Sequence, residues 1–200
     1  MLKGILALQG DFDAHAARVR AEGHEVRFVR NAKDFESIDE LILPGGESTT
    51  MLRLLASAGM EEALVRFVLS GAPVFATCAG LILLAARVEN PSQRSLGLLD
   101  VTVTRNGWGR QVRSFEALDD RGEQSLVFIR APRITSAGPK VAVLMTYQGE
   151  PVLVRQGNIT AATFHPEWTA GLSGAGALTL RAAHEHPYPA ACFSRAARLM

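Results

Sequence analysis

Three stretches hold residues whose types and spacing could do chemistry. Cys78 lies in PVFATCAGLILLA, where a short strand-like run gives way to a helical one. Its neighbours Ala76, Thr77, Ala79 and Gly80 are small. Small residues let a strand turn sharply into a helix and hold the intervening side chain outward, as in a nucleophile elbow. A thiol at a helix N-terminus also feels the positive end of the dipole, which favours the reactive thiolate. The plainer alternative is a structural cysteine buried as a small hydrophobe. His165 lies in TFHPEW, with Pro166 stiffening the turn and Glu167 two residues on. A cysteine nucleophile needs a base, the base is best held by a carboxylate, and histidine is the natural base near neutral pH. The alternative here is a strand-end histidine beside an unrelated surface glutamate. In LILPGGEST, residues 41–49, a Pro-Gly-Gly turn exposes backbone N–H groups able to bind an oxyanion or a carboxylate. This assigns binding to Gly45 and Gly46, with Glu47 available for a substrate ammonium. No Gly-Lys-Ser follows, so it is not a phosphate loop, and a plain glycine turn into a helix remains the alternative.

The surrounding pattern says what positions these residues. Residues 2–8, 25–30, 40–43 and 73–77 are apolar or alternating and read as strands. Between them, 13–22, the stretch after Ser48 and Thr49 (which can cap it), and MEEALVRFVLS read as helices; AGLILLAARV after Cys78 reads as another. Strand alternating with helix implies parallel strands with helices on both faces. Strand-like runs then dominate: VTVTR, SLVFIR, KVAVLMTYQ, PVLVRQ and NITAATFH, with a hairpin at Gln148-Gly149-Glu150. These add antiparallel strands to the sheet or form a small side sheet. Residues 174–185 read as a last helix. Neither an internal repeat nor a linker divides the chain, so 1–200 reads as one domain.

Composition narrows the function. With 21 Lys plus Arg against 20 Asp plus Glu the net charge is +1, and the cationic residues are scattered, which argues against nucleic acid or an anionic membrane as partner. No run reaches the ~18 apolar residues of a membrane span or has the form of a signal peptide. Two cysteines, Cys78 and Cys192, are too few for a disulfide framework and point to a reduced, cytoplasmic setting. His184, Glu185, His186 and Cys192 match no zinc spacing, so no metal or other cofactor is expected. His15 and His24 read as helix-surface or turn residues, and Trp108, between two glycines, as a loop anchor.

Together and in this order, the three stretches resemble the class I (triad) glutamine amidotransferases. Reading further, LALQGDFDAH, LILPGGEST, TCAGLILLA, RNGWGRQVRSFEA, VFIRAPRI and FHPE resemble one branch, the glutaminase subunits of pyridoxal phosphate synthase, over residue 1 to about 185. The RNxxGRQxxSFE and FIRAP segments are specific to that branch.

The resemblance implies a flavodoxin-like three-layer α/β sandwich, its central sheet mostly parallel with added antiparallel strands. It implies Cys78 as nucleophile, His165 as base and Glu167 as the carboxylate orienting it. Gly45, Gly46 and Glu47 correspond to the glutamine-binding loop, Arg105 to a substrate-binding arginine, and Ile129 and Arg130 to a further binding pair. Asn106, Arg110 and Gln111 belong to the same signature without an assigned role. The implied reaction is hydrolysis of L-glutamine to glutamate and ammonia. The ammonia passes to a docked synthase subunit that makes pyridoxal phosphate (vitamin B6) from a pentose phosphate and a triose phosphate. Three departures stand out: Ala76 where the family has Gly, Trp168 where it has Leu, and an Ala-rich C-terminal stretch. Ala76 is the feature that favours a catalytically idle regulatory subunit. Another elbow-cysteine hydrolase on the same fold is the remaining alternative.

Overall fold

The computed structural model describes residues 1–108 and 114–169. In chain order the elements are β1 (Leu2–Leu6), α1 (Phe12–Ala21), β2 (Glu25–Val29), β3 (Glu40–Leu43), α2 (Ser48–Ser57), α3 (Glu61–Leu69), β4 (Val74–Thr77) and α4 (Ala79–Leu84). There follow β5 (Ala85–Glu89), β6 (Leu99–Thr104), β7 (Phe115–Leu118), β8 (Ser125–Phe128), β9 (Arg133–Ala137), β10 (Ala142–Tyr147), β11 (Glu150–Gln156) and β12 (Ile159–Ala162).

A seven-stranded sheet in the order β10-β11-β12-β4-β3-β1-β2 forms the middle layer. From β12 to β2 every pairing is parallel, whereas β10 and β11 extend the sheet antiparallel. Both faces of β1, β3, β4 and β12 are buried, and successive side chains alternate between them, while β2 is a partly exposed edge. Leu6, Leu41, Leu43, Val74 and Ala76 meet one apolar cluster with Met51, Leu55, Leu64 and Phe67 of α2 and α3. Ile5, Ile42 and Phe75 meet a second, with Ala16 and Val19 of α1 and Leu126 and Phe128 of β8. The result is the three-layer arrangement with added antiparallel strands that the sequence implies.

The chain leaves β1 for β2 on one side and then returns to build β3 and β4 on the other. In open sheets, sites form at such a reversal, beyond the carboxyl ends of the strands. The loops after β1, β3, β4 and β12 all meet there.

Two local expectations are corrected, and two strands were not read from the sequence. The helix after Cys78 stops at Leu84, and Ala85 turns extended (ψ 147) to open β5, which pairs in parallel with β6. AGLILLAARV is apolar or small at nearly every position, so its periodicity could not reveal the change; pairing with β6 decides it. Ser48 and Thr49 do not cap α2. Glu47 holds the cap position, and both hydroxyls donate to Gln93 Oε1, at 3.1 and 3.2 Å, tying the helix start to the 90–93 loop. Strands β7 and β9 carry no apolar run of their own and exist by pairing, with β8 and β6 respectively. The hairpin is where the sequence places it, Gln148 and Gly149 both at positive φ (53° and 75°), their N–H groups donating to Asp120. The helix read over 174–185, the cluster His184, Glu185, His186 and Cys192, and Arg110 and Gln111 lie outside the described residues.

Candidate active site

Cys78 joins β4 to α4 with φ 46 and ψ −100. That backbone is strained for a residue with a Cβ and is found chiefly where function requires it. It is held by the Cys78 N–H donating to Ala162 O (2.9 Å) and by Ile82 N–H donating to Cys78 O (3.2 Å). The thiol lies 3.9 Å from the Ile129 carbonyl. At six residues, α4 supplies a weaker dipole than a long helix would. Gly80 is required because a Cβ there would lie 2.3 Å from Leu43 O, the end of β3.

His165 sits just past β12, its N–H donating to Val127 O at 2.8 Å. Pro166–Trp168 form a single 3-10 turn. That turn folds Glu167 back onto the imidazole, with Nδ1 and Glu167 Oε1 2.8 Å apart. Both side chains are buried. Burial alone would lower the His165 pKa. Contacts with Cys78 and Glu167 outweigh it and raise the pKa to about 10. Burial likewise opposes ionisation of Glu167, but His15 and then His165 bring its pKa down to about 2. Among the described residues His165 Nε2 completes no hydrogen bond, yet Cys78 is near enough to act on the ring. That nitrogen is left available for proton transfer.

The loop after β3 closes the site from the other side. A Cβ on Gly45 would lie 2.3 Å from His165 Cε1, and one on Gly10 only 1.9 Å from Gly45 O. The two loops touch backbone to backbone, Asp11 N–H donating to Gly45 O (3.1 Å), and the Gln9 side chain adds a second tie, its Oε1 accepting from Glu47 N–H (2.8 Å). Gly46, Glu47, Cys78, Ile82, Arg105, Ile129, Arg130 and His165 line one cleft, with Asp11, Ser48 and Asn106. Arg105 Nη2 donates to Glu47 Oε1 at 3.0 Å, and Arg130 Nη1 lies 3.9 Å from Oε2. The Glu47 carboxylate, expected to face a substrate ammonium, is thus already flanked by two guanidinium groups. Trp108 is indeed an anchor: its indole N–H donates to Pro132 O (3.1 Å) and its ring packs on Phe128 and Tyr147.

The residues given a site role from the sequence, Gly45, Gly46, Glu47, Cys78, Arg105, Ile129, Arg130, His165 and Glu167, therefore gather at one cleft or directly behind it. Three to which the sequence assigned no site role join them. Gln9 holds the glycine loop, Asp11 Oδ2 lies 3.7 Å from His165 Nδ1, and His15 is buried with Nε2 3.2 Å from Thr77 Oγ1 and 3.4 Å from Glu167 Oε2. The reading of His15 as a surface residue is corrected: α1 turns it inward, against the ends of β4 and β12. The four-residue spacing of Asp11 and His15, which puts both on one helical face, was the available signal. Asp11, His165 and Glu167 also offer ligand atoms within 4.8 Å of one another. A metal ion there would have to displace the His165–Glu167 hydrogen bond.

Comparison with known proteins gives the family. The model of the SNO glutamine amidotransferase family matches residues 5–173. The pyridoxal 5'-phosphate synthase subunit PdxT of Thermotoga sp. (strain RQ2) is 50% identical over 174 residues, covering 84% of this chain and 93% of the relative. That of Koribacter versatilis is 52% identical over 170 residues, covering 83% and 88%. A crystal structure of a glutamine amidotransferase superposes with a TM-score of 0.77 at 44% identity, covering 84% of this chain and 91% of the other. A Thermotoga maritima glutamine amidotransferase at 13% identity (TM-score 0.58, covering 83% and 75%) shares the fold. The chain belongs to the SNO glutamine amidotransferase family.

Proposed function

We propose that this chain is the glutaminase subunit of a pyridoxal phosphate synthase, with Cys78, His165 and Glu167 as its catalytic triad. The observation that carries the reading is the pairing of a strained elbow cysteine with a buried imidazole hydrogen-bonded to a buried carboxylate, in one cleft. The Cys78 thiolate attacks the side-chain carbonyl carbon of L-glutamine. His165 gives its proton to the departing nitrogen, releasing ammonia and leaving a thioester. It then takes a proton from water, whose oxygen attacks the thioester, so that glutamate leaves and the thiolate returns. Glu167 keeps the imidazole oriented through both steps. Backbone N–H groups near Gly46 and Ala79 are assigned to the oxyanion, each donor contributing ~3 kcal/mol. Glu47, Arg105, Ile129 and Arg130 bind the amino-acid end of the substrate.

The ammonia is assigned to a docked synthase subunit; the relatives are each named as a subunit of pyridoxal 5'-phosphate synthase, which supports that reading. The Pro44–Glu47 loop is proposed as the element that responds to docking. The same reading takes 1–200 as one amidotransferase domain and places its work in the cytoplasm, where a thiol stays reduced. No described helix is long and apolar enough to cross a membrane. Ala76, the feature that favoured an idle subunit, is buried in β4 in regular register with Leu43 and Ala161, one residue short of the strained turn's threonine. Its methyl gives no reason to expect inactivity.

Glutamate release from glutamine, by the chain alone and with a matching synthase subunit, tests the proposal. Release that rises with the synthase subunit and vanishes in Cys78→Ala is expected. No release in either condition would bring the idle-subunit reading to the front, and equal rates with and without the synthase would remove the loop's proposed response.

A further inference from the structure

His15 has no part in the mechanism above, yet it is buried and stands between two of that mechanism's elements. Its Nε2 is 3.4 Å from Glu167 Oε2 and 3.2 Å from Thr77 Oγ1, and Thr77 is the residue before Cys78. Glu167 uses Oε1 for His165. Its Oε2 is buried without a hydrogen bond from any described residue. A buried carboxylate oxygen without a donor is costly, and His15 Nε2, 3.4 Å away, is placed to supply one.

We infer that His15 is a positioning residue for the triad: its Nε2–H faces Glu167 Oε2 and fixes the plane in which the carboxylate meets His165, while its contact with Thr77 ties that carboxylate to the nucleophile's own strand. The contacts form a ring. Cys78 is covalently joined to Thr77, Thr77 touches His15, His15 touches Glu167, Glu167 holds His165, and His165 shares the cleft with Cys78. Helix α1 thereby supplies a third support to a pair of groups carried on the ends of β4 and β12. A triad carboxylate free to turn about its Cγ–Cδ bond would lose the plane it presents to His165, and the imidazole its single orientation. The lowered pKa of Glu167, to which His15 is the leading stabilising contributor, agrees with a donor or positive charge at that position.

The inference rests on the triad assignment, so its test separates the two. Glutamine hydrolysis is measured on the full chain with the synthase subunit present, for wild type, Cys78→Ala, His15→Gln and His15→Phe, with thermal unfolding of each. His15→Phe fills the space without a donor; kcat should fall tenfold or more, on the order of the effect that outer hydrogen-bond partners of metal-site histidines exert, with KM within about twofold. His15→Gln restores an N–H donor and should recover most of kcat. A purely structural role predicts no such rescue. Should His15→Phe not fold, Thr77→Val removes the other end of the tie and should lower kcat with KM held. Unchanged kcat in a folded His15→Phe, equal loss in Gln and Phe variants that both fold, or unchanged kcat in Thr77→Val where that variant must decide, would overturn the positioning role. If Cys78→Ala still releases glutamate, the triad reading fails first and this inference with it; a dead Cys78→Ala beside an unaffected His15→Phe removes only the inference.

Discussion

Two clusters of charge flank the cleft, and they differ in burial. On one side Glu167, His165 and His15 have side chains no more than 5% exposed. On the other, Glu47, Arg105 and Arg130 are 41, 17 and 66% exposed. In the first cluster, low dielectric strengthens every contact and makes a missing partner expensive, so the groups are held in one arrangement. In the second, water screens the ion pairs and their net strength is small. Glu47 can therefore exchange an arginine for a substrate ammonium at little cost. The contrast separates the parts that hold the reacting groups from the parts that admit the substrate, and it fixes which kinetic parameter each should control.

The largest effect is expected on the buried side. Glu167→Gln keeps the shape but removes the charge, and kcat should fall by roughly 10³- to 10⁴-fold, the scale known for the equivalent change in a serine triad, with KM little altered. Steady-state glutamate release checks it. The same pair sets a pH signature of stability. His165 is raised to about 10, so its contribution is complete below its ordinary value of 6.5 and is lost as pH rises through 10. Glu167 is depressed to about 2, so its contribution is present above 4.5 and is lost as pH falls through 2. Urea midpoints of wild type should decline on both sides of the window from 4.5 to 6.5, and Glu167→Gln should flatten both declines.

Next in size is Gly45→Ala. The added methyl must push the His165 ring, 2.3 Å away, out of place, and a displacement near 1 Å costs about 100-fold in rate. A fall in kcat smaller than the change in KM would mean that the loop serves binding alone. The smallest effect belongs to the exposed cluster: Glu47→Gln should raise KM by about tenfold, near 1.4 kcal/mol, and leave kcat within a small factor. A kcat loss as large as that of Gly45→Ala would erase the distinction between the two sides.

Much of this was legible in the sequence, for physical reasons. The sheet's parallel core announces itself because both faces are buried, so β1, β3 and β4 are nearly continuous apolar runs between amphipathic helices. Cys78, His165 and Glu167 could be read because each sits in a short loop whose small or rigid neighbours are themselves a signal. Strand β5 could not, because a uniformly apolar segment has no period to read. His15 was not read, because its four-residue spacing from Asp11 also fits a surface pair until the sheet order places α1 beside the ends of β4 and β12. Long-range register, which local pattern does not encode, brought it in.

The backbone contact between the loops after β1 and β3 has a consequence for how such a protein can change over time. Gly10 and Gly45 touch with no room for even one carbon between them, and the second of them abuts the imidazole. Neither loop can gain or lose a residue without moving His165. Inherited insertions and deletions must therefore accumulate elsewhere, at the turns on the opposite edge of the sheet or in the β7–β8 hairpin, while these two segments keep a fixed length across lineages that retain the chemistry.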